Sequence, residues 1–244
     1  MGVGVQRVAI GIFCKTPTPG LSKTRLSPPF RPEECAALAA CFIRDLSATI
    51  DQIVRDGLAV GYAVYTPAGT ERALRALLPP GFRLLLQCDG DFGTRLATAT
   101  RELLQSHTGA IMVSADSPTL PAAILRDAIE AVQSGDTLAL SRALDGGYTV
   151  IGVSRVHARL YEDIPWSTSD VHRLTVERAA EIGLPVVDLP AWYDVDDAGS
   201  LAVLESEFAG ECPPSEDGLS LAGAPAPATR AHLAARLAPA RAAR

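Results

Sequence analysis

Between residues 7 and 208 the sequence keeps switching between two hydrophobic periods, and that alternation limits the folds open to it. Residues 7–14 (RVAIGIFC) are a short β-branched apolar run, followed by a stretch carrying Pro17, Pro19, Pro28 and Pro29. This reads as a buried strand running into a loop. Residues 32–55 then take helical spacing, with Leu38, Cys41, Phe42, Leu46, Ile50 and Ile53 on one face. Pro32 suits the first helical turn and Gly57 its end. The same logic predicts strands at 58–65, 82–87, 110–114, 137–142, 149–153 and 185–189. Helices are expected at 70–78, 92–106, 121–133, 167–181 and 198–208. Strands alternating with helices point to an α/β fold around an open, mostly parallel sheet. Ligands of such sheets bind beyond the carboxyl ends of the strands, so the loops that follow strands are where chemistry belongs.

Composition narrows the function classes. Of 244 residues, 48% are apolar and 20% charged, which is globular usage and excludes a wholly disordered or fibrous chain. The net charge of −6 disfavours a nucleic-acid polymer as partner, since that affinity rests on neutralising phosphates. No apolar run reaches the ~18 residues of a membrane span, and residues 1–15 lack a signal-peptide cleavage pattern. Five cysteines without a C-x-x-C pair give neither a disulfide framework nor a zinc site, so a cytoplasmic protein with reduced thiols is expected. The oligomeric state is not legible. Residues 210–244 hold 11 Ala, 5 Pro and 4 Arg and no aromatic residue. This predicts a disordered or loosely docked tail, with at most a weak helix over 230–237.

Six loops carry candidate chemistry. The first, KTPTPGLSKTRL, gathers Lys15, Lys23, Arg25 and the hydroxyls of Thr16 and Thr24 around Gly20. Flexible cationic donors beside a tight turn suit a phosphate, or simply a basic surface loop. It is not a Walker A motif, because Pro17 and Ser22 stand at the glycine positions. The second, QCDGDFGTRL, places Gln87, Gly90, Gly93 and Thr94 at a strand–helix junction. Its amide suits a base edge and its helix start a phosphate; an ordinary capped turn is the alternative. The third, SADSPTL, ends a strand in Asp116, well placed for a hard divalent ion, although Asp116 and Ser117 would also shape a turn.

In the fourth, Asp145, Gly146, Gly147 and Tyr148 permit close approach to a ligand or form a hairpin turn. The fifth offers Trp166 as a stacking face, with Ser167 or Thr168 as a helix cap. In the sixth, YDVDD, alternation aims Asp194 and Asp196 to one side. Two such carboxylates repel unless a cation or proton lies between them; Asp197 equally suits a helix cap. No G-x-S-x-G elbow and no G-x-G-x-x-G is present.

Taken in order, these six segments resemble a bacterial family of nucleotide-diphospho-sugar transferases, the selenium-associated and arsenosugar-biosynthesis types of glycosyltransferase, over about residues 7–208. The resemblance implies a GT-A-like three-layer α/β/α fold with a mostly parallel central sheet, in a single nucleotide-binding catalytic domain over 1–209. It further implies that Lys15, Lys23 and Arg25 contact the phosphates, and that Gln87, Gly90 and Gly93 lie near the base and ribose. Asp116 would hold Mg²⁺ or Mn²⁺, completed by Asp194 or Asp196. Residues 145–148 and 166–168 would line the sugar or acceptor side, with Asp145 as an acceptor-side base. The expected activity is metal-dependent transfer of a sugar from a nucleotide diphosphate sugar to a small-molecule acceptor.

GT-A enzymes typically carry an Asp-x-Asp motif, whereas Asp116 is followed by Ser117 and Pro118. A lone acid there, with further acids late in the chain, also resembles nucleotidylyltransferases. These would use a nucleoside triphosphate (NTP) and a phosphorylated acceptor and release pyrophosphate. A non-catalytic nucleotide-binding module is the third reading.

Overall fold

The structure is a computed structural model describing residues 7–213 and 221–242. Seven strands form one sheet: β1 (Val8–Lys15), β2 (Ala59–Thr66), β3 (Arg83–Leu86), β4 (Ala110–Ser114), β5 (Leu138–Ala143), β6 (Tyr148–Val153) and β7 (Val186–Trp192). Their spatial order is β3-β2-β1-β4-β6-β5-β7. Only β6 runs antiparallel to its neighbours. It returns from β5 through the Asp145–Gly147 turn, which leaves β5 and β7 pointing the same way as β1 and β4.

The helices are α1 (Pro32–Arg55), α2 (Glu71–Arg75), α3 (Phe92–Leu104), α4 (Ala122–Ser134), α5 (Val171–Glu181), α6 (Ala198–Phe208) and α7 (Pro227–Ala242). The strand period of two splits β1 between two cores. Val8, Ile10, Ile12 and Cys14 join α1, α4 and α6 on one face, while Ala9 and Phe13 join α3 and α5 on the other. Gly11 is required between them: a Cβ there would lie 2.8 Å from Val64 Cγ2 and 3.1 Å from Met112 Sδ. The three-layer α/β/α arrangement and mostly parallel sheet agree with expectation. All six apolar positions read onto the inner face of α1 are buried.

The tail is where the expectation needs correcting. Within 210–244, residues 227–242 form α7, which packs against α1; residues 214–220 and 243–244 lie outside the described residues. The physical reason is Asp45. It sits on the inner face of α1, only 4% exposed, and its carboxylate accepts from the backbone N–H groups of Ala228 (2.9 Å) and Thr229 (2.7 Å). A helix start leaves such donors orphaned; here a side chain of another helix supplies the cap and a charge of the favoured sign. Leu233 is buried beside it. The start of this Ala-rich helix is thus capped by one buried carboxylate.

Asp45→Ala is expected to cost about 1–2 kcal/mol, the usual worth of a helix cap. Hydrogen exchange should quicken across 227–242 while the amides of β1 and β4 stay protected; unchanged exchange in α7 would show that the cap does not hold it.

Candidate active site

Strands β1, β2 and β3 are laid down in one direction across the sheet and β4 resumes on the other side of β1, and ligands of open α/β sheets bind at such switch points. A cavity of about 470 Å³ opens there, at the carboxyl ends of β1, β4 and β7 and beside the β5–β6 turn.

One wall is charged. The loop after β1 is pinned at both ends: Thr16 N–H bonds to Thr66 O at 2.8 Å, and Leu26 is 1% exposed. Between these anchors Gly20 (φ 75°) and Lys23 (φ 49°) take left-handed backbone, folding the loop back over the cavity. Strained non-glycine backbone persists only where its surroundings enforce it, and here the Lys23 side chain does so. Its Nζ donates to Asp116 Oδ1 at 2.6 Å, Asp196 Oδ1 at 2.8 Å and the Val195 carbonyl at 2.6 Å. Burial alone would pull this ammonium down, but Asp116 and Asp196 outweigh it and hold its pKa above the ordinary lysine value.

Asp116 and Asp196 each keep 38% of the side-chain surface open towards the cavity. Burial is the largest influence pushing the Asp116 carboxyl up; Lys23 opposes it and Asp196 adds to it. The Asp194 carboxyl is pushed up to about 7, through burial first and then the negative charges of Asp145, Asp196 and Asp116. Asp145, Asp194 and Asp196 can each present one carboxylate oxygen with all three within 4.8 Å. Hard oxygen ligands at that spacing, repelling one another, suit a divalent cation. Asp197 stands aside: its carboxylate accepts from Ser200 N–H at 2.9 Å and caps α6.

The opposite wall is aromatic. Phe92 lies 4.9 Å, ring to ring, from Trp166 and 5.2 Å from Phe13; Tyr148 meets Trp166 edge-on at 6.5 Å. Trp166 fits there because residue 93 is glycine: a Cβ at Gly93 would lie 2.6 Å from the indole Nε1. Gly146 serves the same purpose, since its absent Cβ would fall 2.2 Å from the Ser169 carbonyl oxygen.

The structure thus brings to one cavity Lys15, Lys23, Thr24, Arg25, Asp116, Asp145, Gly147, Tyr148, Trp166, Ser167, Thr168, Asp194 and Asp196. Other candidates are engaged elsewhere, which corrects the expectations for them. Gln87 does not face a ligand: its Nε2 donates to Cys14 O (3.1 Å) and Val64 O (2.8 Å), and its Oε1 accepts from Arg95 (3.0 Å). With both amide groups consumed, it braces three segments rather than reading a base. The helix start at Gly93 and Thr94 is closed to a phosphate by the chain's own anion, because Asp91 Oδ1 accepts from Thr94 N–H at 2.8 Å. Gly90 (φ 124°) packs against the Thr94 side chain. Thr16 is buried and shares a hydrogen bond with Thr70 at 2.8 Å. Neither Ser167 nor Thr168 caps α5; Thr168 Oγ1 donates to Pro165 O, and Asp170 holds the N-cap position. Lys23, expected on a phosphate, is held by two carboxylates, and Asp116, expected on a metal, pairs with it while part of its side chain stays open to the cavity.

Sequence reasoning missed Phe13, Phe92 and Met112 as cavity walls. Phe92 was visible as the first residue of a helix, but only its 37% exposure separates it from a core phenylalanine.

The fold is like that of solved nucleotide-diphospho-sugar transferase-type structures. Residues 49–168 match the model of a family described as an uncharacterized protein conserved in bacteria (DUF2064). Among solved structures, the chain is similar to a "putative nucleotide-diphospho-sugar transferase" from Desulfovibrio desulfuricans G20. The identity is 26%, with a TM-score of 0.80 and 95% of each chain covered. It shares its fold with CMP:2-keto-3-deoxy-manno-octonic acid synthetase complexed with CTP (13% identity, TM-score 0.53, covering 84% of this chain and 99% of the other). The fold also matches 4-diphosphocytidyl-2C-methyl-D-erythritol synthase from Anaerococcus prevotii DSM 20548 (8%, 0.53, 84% and 96%). No curated protein matches the sequence.

The carboxylate crowding has a measurable consequence in metal-free protein. Asp194 in the folded state titrates near 7, above its unfolded value near 3.9. The folded state therefore retains a proton that the unfolded state has lost, and stability falls as pH rises from about 4 to about 7. Asp194→Asn removes that slope, so in a chelator its melting temperature should exceed the wild type's at pH 8 and approach it at pH 4. An equal difference at both pH values would show that Asp194 titrates normally.

Proposed function

We propose that the protein is a metal-dependent glycosyltransferase moving a sugar from a nucleotide diphosphate sugar to a small-molecule acceptor. The observation that carries this reading is the gathering of cations and carboxylates in one cavity at the switch point. Lys15, Thr24 and Arg25, on the loop after β1, line the same cavity as Asp145, Asp194 and Asp196. A diphosphate there would meet cationic donors and, through the carboxylates, a Mg²⁺ or Mn²⁺ ion. Asp145, Asp194 and Asp196 would hold that ion, and it would neutralise charge developing on the leaving diphosphate.

Asp145 fits this ligand set better than the role of acceptor-side base. Its carboxylate is close to the other two, and its Oδ1 also accepts from Gly147 N–H at 2.9 Å. The aromatic wall of Phe92, Tyr148 and Trp166 lines the far side of the cavity, where a sugar or acceptor ring would stack.

A second reading is nucleotidylyl transfer from an NTP with pyrophosphate release. It is favoured by the single acid after β4, Asp116, working with acids after β7 rather than with an adjacent Asp.

Thermal unfolding against diphosphates, triphosphates and diphosphate sugars of each base, with and without Mg²⁺ or Mn²⁺, tests both. A ligand at ~100 times its Kd adds about 2.7 kcal/mol. Metal-dependent stabilisation by one base's diphosphate and its sugar conjugate is expected, and preference for the triphosphate would select the second reading. No shift with any nucleotide would end both. Asp194→Ala should abolish the metal-dependent part of the shift, with any metal-free nucleotide binding retained.

A further inference from the structure

The chain contains only two lysines, Lys15 and Lys23, against twenty arginines. Both lie on the loop over the cavity, and they differ sharply in environment. Lys15 is exposed, whereas only 5% of the Lys23 side chain is exposed. An ammonium has three N–H donors on a compact point charge, while guanidinium is a planar fork. Lys23 uses its three donors on three acceptors, Asp116 Oδ1, Asp196 Oδ1 and Val195 O, all within 2.8 Å. That is how a small oxygen-coordinated cation would be held, and Phe42 closes the remaining side, its ring centroid 5.4 Å from Nζ. Asp196 belongs to this ammonium site and also to the Asp145–Asp194–Asp196 cluster.

We propose that Lys23 is a resident cation of the site which exchanges with a divalent ion. In the metal-free protein its ammonium holds Asp116 and Asp196; a divalent ion drawing on Asp196 releases it into the cavity, where phosphates would bind. The inference rests on the metal-dependent reading above and adds a role to Lys23 that a static phosphate contact lacks. Lys23 also sits in left-handed backbone, a conformation a lysine rarely adopts, so freeing its side chain would remove one of the constraints on the loop. Exchange also keeps the carboxylates compensated: Asp116 and Asp196 share one ammonium in the metal-free state, and the ion would bring two positive charges as Lys23 swings towards incoming anions.

Competition and release are linked reciprocally: whatever Lys23 subtracts from metal affinity, the metal subtracts from Lys23's hold. Two measurements read this without turnover. First, amine acylation followed by mass spectrometry reports both lysines at once, with Lys15 as the internal reference. Lys15 should react in either state, and Lys23 should be protected in chelator but react on the order of tenfold faster with Mg²⁺. Second, calorimetric Mn²⁺ binding should strengthen on the order of tenfold in Lys23→Met, and change far less in Lys15→Met, which removes a cation that touches no carboxylate.

Mn²⁺ binding by both proteins, tighter in Lys23→Met, would support the exchange, whereas binding by Lys23→Met alone would show that Lys23 fills the site without exchanging. The acylation arm uses wild-type protein, so it decides the matter even if Lys23→Met fails to fold. Lys23 protection unchanged by saturating Mg²⁺, or no divalent binding by either protein, would overturn the exchange. Nucleotide stabilisation without metal would leave nucleotide use standing while removing the ion, so the two failures are distinguishable.

Discussion

Four carboxylates converge on one end of the sheet, from three loops far apart in sequence, and like charges at that spacing repel. The Lys23 ammonium lets two of them, Asp116 and Asp196, lie side by side. It joins the loop after β1 to the loop after β4 through Asp116, and to the loop after β7 through Asp196 and Val195. A buried ion pair of this kind adds little net stability, because desolvation offsets most of the Coulomb gain. Losing one partner is costly, since the other charge is then buried without compensation. The triad therefore specifies an arrangement more than it stabilises the fold: it sets where the loop lies, and so where Lys15, Thr24 and Arg25 stand.

The aromatic wall depends on a different constraint, the absence of side chains. Trp166 reaches the cavity only because Gly93 leaves room for its indole, and the segment preceding α5 approaches the β5–β6 turn only because Gly146 lacks a Cβ. Ser167, next to Trp166, is held at φ 67°. Glycines that look in sequence like turn markers or phosphate cradles act here as spaces that admit another segment. The cavity that results is divided, with oxygen ligands and cations on one side and flat apolar rings on the other. That division suits a ligand with a charged middle and a ring-bearing end.

Much of the architecture could be read from period alone. The β1 strand, the inner face of α1, the β5–β6 turn and the parallel character of the sheet follow from alternation and helical spacing. So does the loop set that surrounds the cavity, because in a parallel sheet strand-end loops gather at one edge. What period does not carry is which hydrogen-bond partner wins. Gln87 has the chemistry to read a base, but two backbone carbonyls at the ends of β1 and β2 and the guanidinium of Arg95 take its amide. The N-terminus of α3 has the donors to hold a phosphate, but Asp91 is three residues away and arrives first. Lys23 and Asp116 were both legible as site residues; that they would choose each other depends on a separation of 93 residues closing to 2.6 Å.

Composition misled most at the carboxyl end, and the reason bears on the site. An Ala-rich segment lacks the apolar area to dock by burial, yet α7 docks because the anchor is on the other partner: Asp45 was visible as an acid on the inner face of α1, between Phe42 and Leu46. Farther along α7 the Arg236 guanidinium lies 3.7 Å from the centre of the Phe30 ring and donates to the Pro29 carbonyl at 3.3 Å. Pro29 and Phe30 end the same loop whose other end carries Lys15. A cation over an aromatic face contributes from about 0.5 kcal/mol when exposed to about 2 when desolvated. The helix therefore braces the base of the loop after β1, while Lys23 ties its tip to the loops after β4 and β7.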